Sequence, residues 1–126
     1  MEESIEIRVA LEQLGATNLK GNVKALKREA KLFVQAAKDR NVAACFEHDI
    51  EFHRMFIEAS GNVLLLATRE SVVLESRFRK TLAKIGEEQL LSFGKDHYPV
   101  IKSLDKGDGV SAGKQLRSLI CRYHGL

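Results

Sequence analysis

The chain has one proline and nine glycines in 126 residues, so few positions break or loosen a helix. It has two cysteines, Cys45 and Cys121. Neither belongs to a CxxC pair, and two are too few for a disulfide framework, which predicts reduced thiols among apolar neighbours. Long apolar runs are missing too. The run from Val63 up to Thr68, with Val42 to Phe46, is as long as any and far short of the roughly 20 residues that span a bilayer. The amino terminus, Met-Glu-Glu-Ser-Ile-Glu, is acidic and does not read as a secretory signal. No stretch alternates with the period of a strand, and no repeat, low-complexity tract or linker is visible. These absences leave a helical, cytoplasmic protein with no membrane partner as the expectation.

The composition agrees. Hydrophobic residues make up 44% and charged residues 29%, the balance of a folded globular domain. The length suffices for one domain with a core and not for two. The net charge of +3 is spread along the chain. Its tightest basic group, Arg77, Arg79 and Lys80, has Glu70 and Glu75 close by and reads as a solvated helix face rather than a nucleic-acid surface.

Apolar residues recur at helical spacing. Ile7, Ala10, Leu11 and Leu14 mark a first helix from about Ser4 to Gly15, and Val23 to Ala37 a second that ends near Asp39. A third runs from about Val42 to Ser60, with Gly61 placed to stop it. Asn62 is positioned to cap a fourth that carries Val63, Leu66, Val73, Phe78 and Leu82. A fifth segment spans about Glu87 to Leu104. Pro99 either kinks it or sits in the first turn of a helix that begins near Asp96. After a turn at Lys106–Asp108 the last helix carries Ala112, Leu116, Leu119, Ile120 and Tyr123. The fold class is an all-α antiparallel bundle of about six helices joined by short connections.

The third helix carries the chemistry. At about 100° per residue, Val42, Phe46, Ile50, Phe56 and Ile57 share one face, and Asp49 and His53 lie in its middle. The opposite side collects Glu47, Glu51, Arg54 and Glu58. A carboxylate turned into a core must be paired or bound to a metal. Side chains four apart stack on a helix, so Asp49 and His53 can converge on one ion. His97 lies on the apolar side of the fifth segment and completes a plausible divalent transition-metal site. A buried Asp49–His53 hydrogen bond with a satisfied core His97 is the alternative.

At these residues the sequence resembles the FadR C-terminal domain family of GntR transcription regulators. The run Asp49-Ile-Glu-Phe-His53, followed by Ala59-Ser-Gly-Asn62, is similar to that family's most recognisable stretch. His97-Tyr-Pro-Val-Ile101 with Gly107-Asp108 resembles its second signature, and Arg8 with Leu11-Glu12 its first-helix motif. The resemblance covers nearly the whole chain. It implies a bundle with a central cavity, in which an aspartate and three histidines hold zinc, nickel or a similar ion beside a small carboxylate effector. It also implies a homodimer, and a single ligand-binding domain over residues 1–126. The winged helix-turn-helix of such regulators is absent from this chain, so no direct DNA binding is expected of it.

Two features qualify that set. Leu119 stands where the third histidine is expected. His124 follows five residues later, rotated by about 140° on an ideal helix, so it joins Asp49, His53 and His97 only if the last helix shifts. For the effector's carboxylate, Arg8 is the leading cation and Arg77 the second, since a guanidinium binds carboxylates through two parallel hydrogen bonds. Two other functions share these residues: a metal-free helical interaction or dimerisation module, and a metal-dependent enzyme. The enzyme needs a general base near the metal, and no other acidic residue clearly lies on an inward face. The expected function is therefore non-catalytic sensing.

Overall fold

The structure is a computed structural model that describes residues 3–19, 23–61, 80 and 84–124. Its helices are α1 (Glu3–Asn18), α2 (Val23–Lys38), α3 (Val42–Ala59), α4 (Glu87–Lys95), α5 (His97–Asp105) and α6 (Gly109–His124). No strand occurs among the described residues. The segment expected to form the fourth helix, with Asn62 and Arg77, lies outside them. The expected fifth segment is two helices that meet at Asp96. Pro99 falls in the first turn of α5, where its missing N–H costs nothing.

Helices α2 and α3 run antiparallel, as do α5 and α6, where Ser103 meets Gln115 and Asp96 meets Arg122. Phe33 of α2 accepts from Cys45 of α3 through its carbonyl, and one turn back Glu29 meets His48. Lys27 pairs with Asp105 and the ring of Phe33 packs near His97, which sets α2 against α5. Contacts link α1 to α3, α3 to α2, α2 to α5, α5 to α6 and α6 back to α1, closing a ring, with α4 against α2.

Local chemistry sets the ends. Asn41 caps α3 by accepting from the Ala44 N–H at 3.1 Å, and Gly61, with φ 86°, follows its last turn. Gly107 takes φ 76° after α5. Asp108 then accepts from the Ser111 N–H at 3.0 Å and caps α6. The Gly-Asp pair is thus a stop followed by a start.

The core lies in two main apolar groups. One gathers Phe33, Cys45, Phe46, Leu90, Phe93 and Leu119. The other gathers Leu26, Ala30, Phe52, Phe56, Val100 and Leu116. Leu119 therefore fills apolar space rather than offering a ligand. Neither cysteine is in a disulfide; Cys45 is buried and Cys121 only half-buried.

The first helix corrects its sequence reading. Ile7 and Leu14, expected to mark the inward stripe, are 43% and 47% exposed. The buried positions are Ile5, Arg8, Val9, Glu12, Gly15 and Ala16. Close backbone approach holds this orientation: a Cβ on Gly15 would lie 1.7 Å from the Phe56 carbonyl oxygen of α3. No side chain larger than hydrogen fits there, and the contact brings Glu12, one turn earlier, over α3.

Candidate metal centre

The ring of helices encloses a polar cluster. Asp49 and His53 project inward from α3 and His97 from the first turn of α5, all three buried. One ligand atom from each lies within 4.8 Å of the others. The site thus joins the three residues expected to do so. The aromatic wall is Phe52, whose ring stands edge-on to His97 at 4.6 Å, and Phe33, 5.1 Å away on another side.

Both imidazoles are aimed through their outer nitrogens. His97 Nδ1 lies 2.9 Å from the Phe93 carbonyl and 3.0 Å from that of Gly94. A carbonyl only accepts, so Nδ1 carries the proton and Nε2 is turned to Asp49 Oδ1 at 2.6 Å. His53 Nδ1 is bonded to Glu12 Oε1, and its Nε2 faces Asp49 Oδ1 at 3.3 Å without hydrogen-bond geometry. Asp49 Oδ2 and His53 Nε2 are buried without a hydrogen-bond partner. Orphans of this kind are costly in a closed core.

Charge is concentrated here. Burial pushes Glu12 up, but His53 and Arg8 outweigh it and hold its carboxyl below the ordinary range. Burial also pushes Asp49 up; His53 and His97 outweigh it and hold that carboxyl well below the usual values. For His53 burial acts downward, yet Glu12 and then Asp49 raise it to about 9. Cys45, one turn before Asp49, is pushed up to about 11 by burial and by the Asp49 charge, so its thiol stays protonated.

Glu12 entered the sequence reading only as part of the first-helix motif and was not assigned to the site; its position overturns the expectation that no other acid clearly faces inward. It is completely buried. Its Oε2 accepts from Arg8 Nε at 2.6 Å while Oε1 holds His53. With both oxygens engaged, Glu12 fixes the ring orientation of His53, as carboxylates behind metal-bound histidines do. The signal available in the sequence was the Arg8–Glu12 spacing, in step with Ile5, Val9 and Ala16. Arg8 itself is buried against Glu12. Arg77 lies outside the described residues, as does the side chain of His124, so neither enters this geometry.

Donors of this type, two imidazoles and a carboxylate with anchored second nitrogens, match what zinc, nickel and similar ions take. The model of the FCD domain family matches residues 3–121. The chain belongs to the FCD family. FCD domains are regulatory ligand-binding domains of GntR-family transcription regulators, not a catalytic family. No curated protein and no solved structure matches the chain. No FCD helix among the described residues is long and apolar enough to cross a membrane.

Proposed function

We propose that this chain is a single, non-catalytic FCD sensor domain that binds a small organic or sugar acid beside a divalent transition metal, zinc or nickel. The observation that carries the reading is the pair of orphaned buried atoms, Asp49 Oδ2 and His53 Nε2, set beside His97 Nε2. Asp49, His53 and His97 hold the ion. When bound, it supplies concentrated positive charge to which a ligand carboxylate is attracted. Three protein ligands leave coordination positions for that carboxylate or water. Leu119 removes the third histidine of the family pattern, so affinity is lower than a four-ligand site gives.

Glu12 keeps His53 presented through Nε2, and the Phe93 and Gly94 carbonyls do the same for His97. Arg8 is the cation assigned to the effector's carboxylate; its link to His53 through Glu12 places it in the same network. Assembly as a homodimer accords with the regulators to which FCD domains belong.

The test is metal content by mass spectrometry and melting temperature, before and after soaking in zinc or nickel. The expected result is about one ion per chain and a rise of several degrees, since a ligand of the native state stabilises it. Asp49→Asn, close in shape to the parent, loses the ion while retaining helical circular dichroism. A small-carboxylate panel raises the melting temperature further only in the loaded protein. Absence of bound metal after soaking would overturn the reading in favour of a metal-free interaction module.

A further inference from the structure

Lysines that look scattered in the sequence converge on one groove. Lys27 and Lys31 stand one turn apart on α2, both exposed. Across from them are Lys95, the last residue of α4, and Lys102 of α5. Together they rim a groove of about 770 Å³ whose floor is Tyr98, Pro99 and Ile101. Its one acid, Asp105, is taken by Lys27 at 3.0 Å. Among the described residues Lys31, Lys95 and Lys102 have no carboxylate partner.

Some other surface cations are paired, Arg40 with Glu87 at 3.0 Å and Arg117 with Glu6 at 3.8 Å; Lys24, Lys38 and Lys106 are not, among the described residues, but they do not line this groove. Like charges four apart on a helix, as in Lys27 and Lys31, oppose folding, and a bound anion relieves that repulsion. The groove's size is that of a small-molecule site.

The chemistry of the rim selects the ligand. Lysine ammonium groups are compact, flexible point charges that suit phosphate. No arginine lines the groove among the described residues, so its cations act as point charges, whose attraction grows with the charge of the anion and is greatest for a polyphosphate. The floor is apolar and partly aromatic, with Tyr98 40% exposed, and offers a face to a planar group. We propose that this groove binds a phosphorylated small molecule with a planar body, of the nucleoside polyphosphate class.

The groove shares no lining residue with the Asp49–His53–His97 cluster and is independent of whether that cluster holds metal. Occupancy nonetheless touches α5, because Tyr98 follows His97 directly.

The test is isothermal titration calorimetry of the metal-stripped full chain at low salt with ATP, tripolyphosphate and adenosine as probes. ATP binds saturably, and tripolyphosphate and adenosine each bind at least about tenfold more weakly. The Lys31→Ala/Lys102→Ala variant weakens ATP by about tenfold, the effect of two exposed charge contacts. Added salt weakens binding of ATP. Tyr98→Ala weakens ATP while leaving tripolyphosphate unchanged. Lys38→Ala, exposed on α2 but not part of the groove, changes nothing. No saturable ATP binding, or equal affinity in the double lysine variant and the parent, would overturn the proposal. Equal binding of ATP and tripolyphosphate would overturn the assignment of a planar body.

Discussion

The first two helices each span 16 residues and each pack on α3, yet they dock by opposite means. Helix α2 buries Leu26, Ala30, Phe33, Ala36 and Ala37 and turns its lysines to water. Helix α1 buries Arg8 and Glu12 between Ile5, Val9 and Ala16, and leaves Ile7 and Leu14 exposed. The apolar contact of α2 is indifferent to protonation. The seating of α1 rests on the Arg8–Glu12–His53 chain of charges and on the close approach at Gly15. An element that brings a carboxylate to a site gives up part of its apolar stripe to do so.

Substitutions in the two helices measure the difference. Phe33 is completely buried, and Phe33→Ala is expected to cost about 4 kcal/mol through lost burial and a cavity. Glu12→Gln preserves volume and removes only charge, leaving Arg8 and His53 without their buried counter-ion. Its expected cost is about 3 kcal/mol at pH 6.5. Urea unfolding at pH 6.5 and again at pH 9.5 separates the mechanisms. The Phe33→Ala loss is the same at both values. The Glu12→Gln loss shrinks at the higher one, where His53 is neutral and gains little from a carboxylate. A Glu12→Gln cost below about 1 kcal/mol would show that α1 docks as α2 does.

The same contrast predicts how the metal-free protein responds to pH. His53 is raised from 6.5 to about 9 in the folded chain. Its contribution is fully present below 6.5 and is lost as pH rises through about 9. Glu12 and Asp49 are lowered, so their contribution is present above ordinary carboxylate values and is lost on acidification. Stability therefore peaks between about pH 4.5 and 6.5. It falls by on the order of 2 kcal/mol toward pH 9.5, as the raised His53 implies. Urea midpoints across this range test the shape; a flat profile from pH 6 to 9.5 would remove the charge chain from the account of stability. Metal binding has the opposite slope, because the ion must displace the His53 proton and binds more tightly as pH rises.

Much of this was legible in the sequence. The face of α3 was for the most part: the structure buries Phe46, Phe56 and Ile57 around Asp49 and His53, while Val42 and Ile50 of the same stripe are only half-buried. His97 was legible through its register with Val100 and Ile101. What stayed hidden depends on long-range packing. Glu12 reads as a surface acid by type, and only the approach of α1 to α3 at Gly15 turns it inward. The lysine groove brings residues 27 and 102 together through the α2–α5 contact, which no local pattern encodes.

The smallest predicted effect probes the orientation of α1 most directly. Ile7 and Val9 are two residues apart and point about 200° apart around a helix. By hydrophobicity and by the Ile7–Ala10–Leu11–Leu14 spacing, Ile7 is the better core residue. By position it is 43% exposed, while Val9 is 1% exposed beside Ile5 and Ile120. Ile7→Ser is expected to change stability by no more than about 0.5 kcal/mol, as surface substitutions do. Val9→Ser removes buried methyl groups and buries a hydroxyl, for about 2 kcal/mol. Urea midpoints of the two variants decide the matter at pH 6.5, where the charge chain is intact. The reverse ranking would place the sequence's apolar stripe in the core and rotate Glu12 away from His53, which would break the support of the candidate site together with the contrast between α1 and α2.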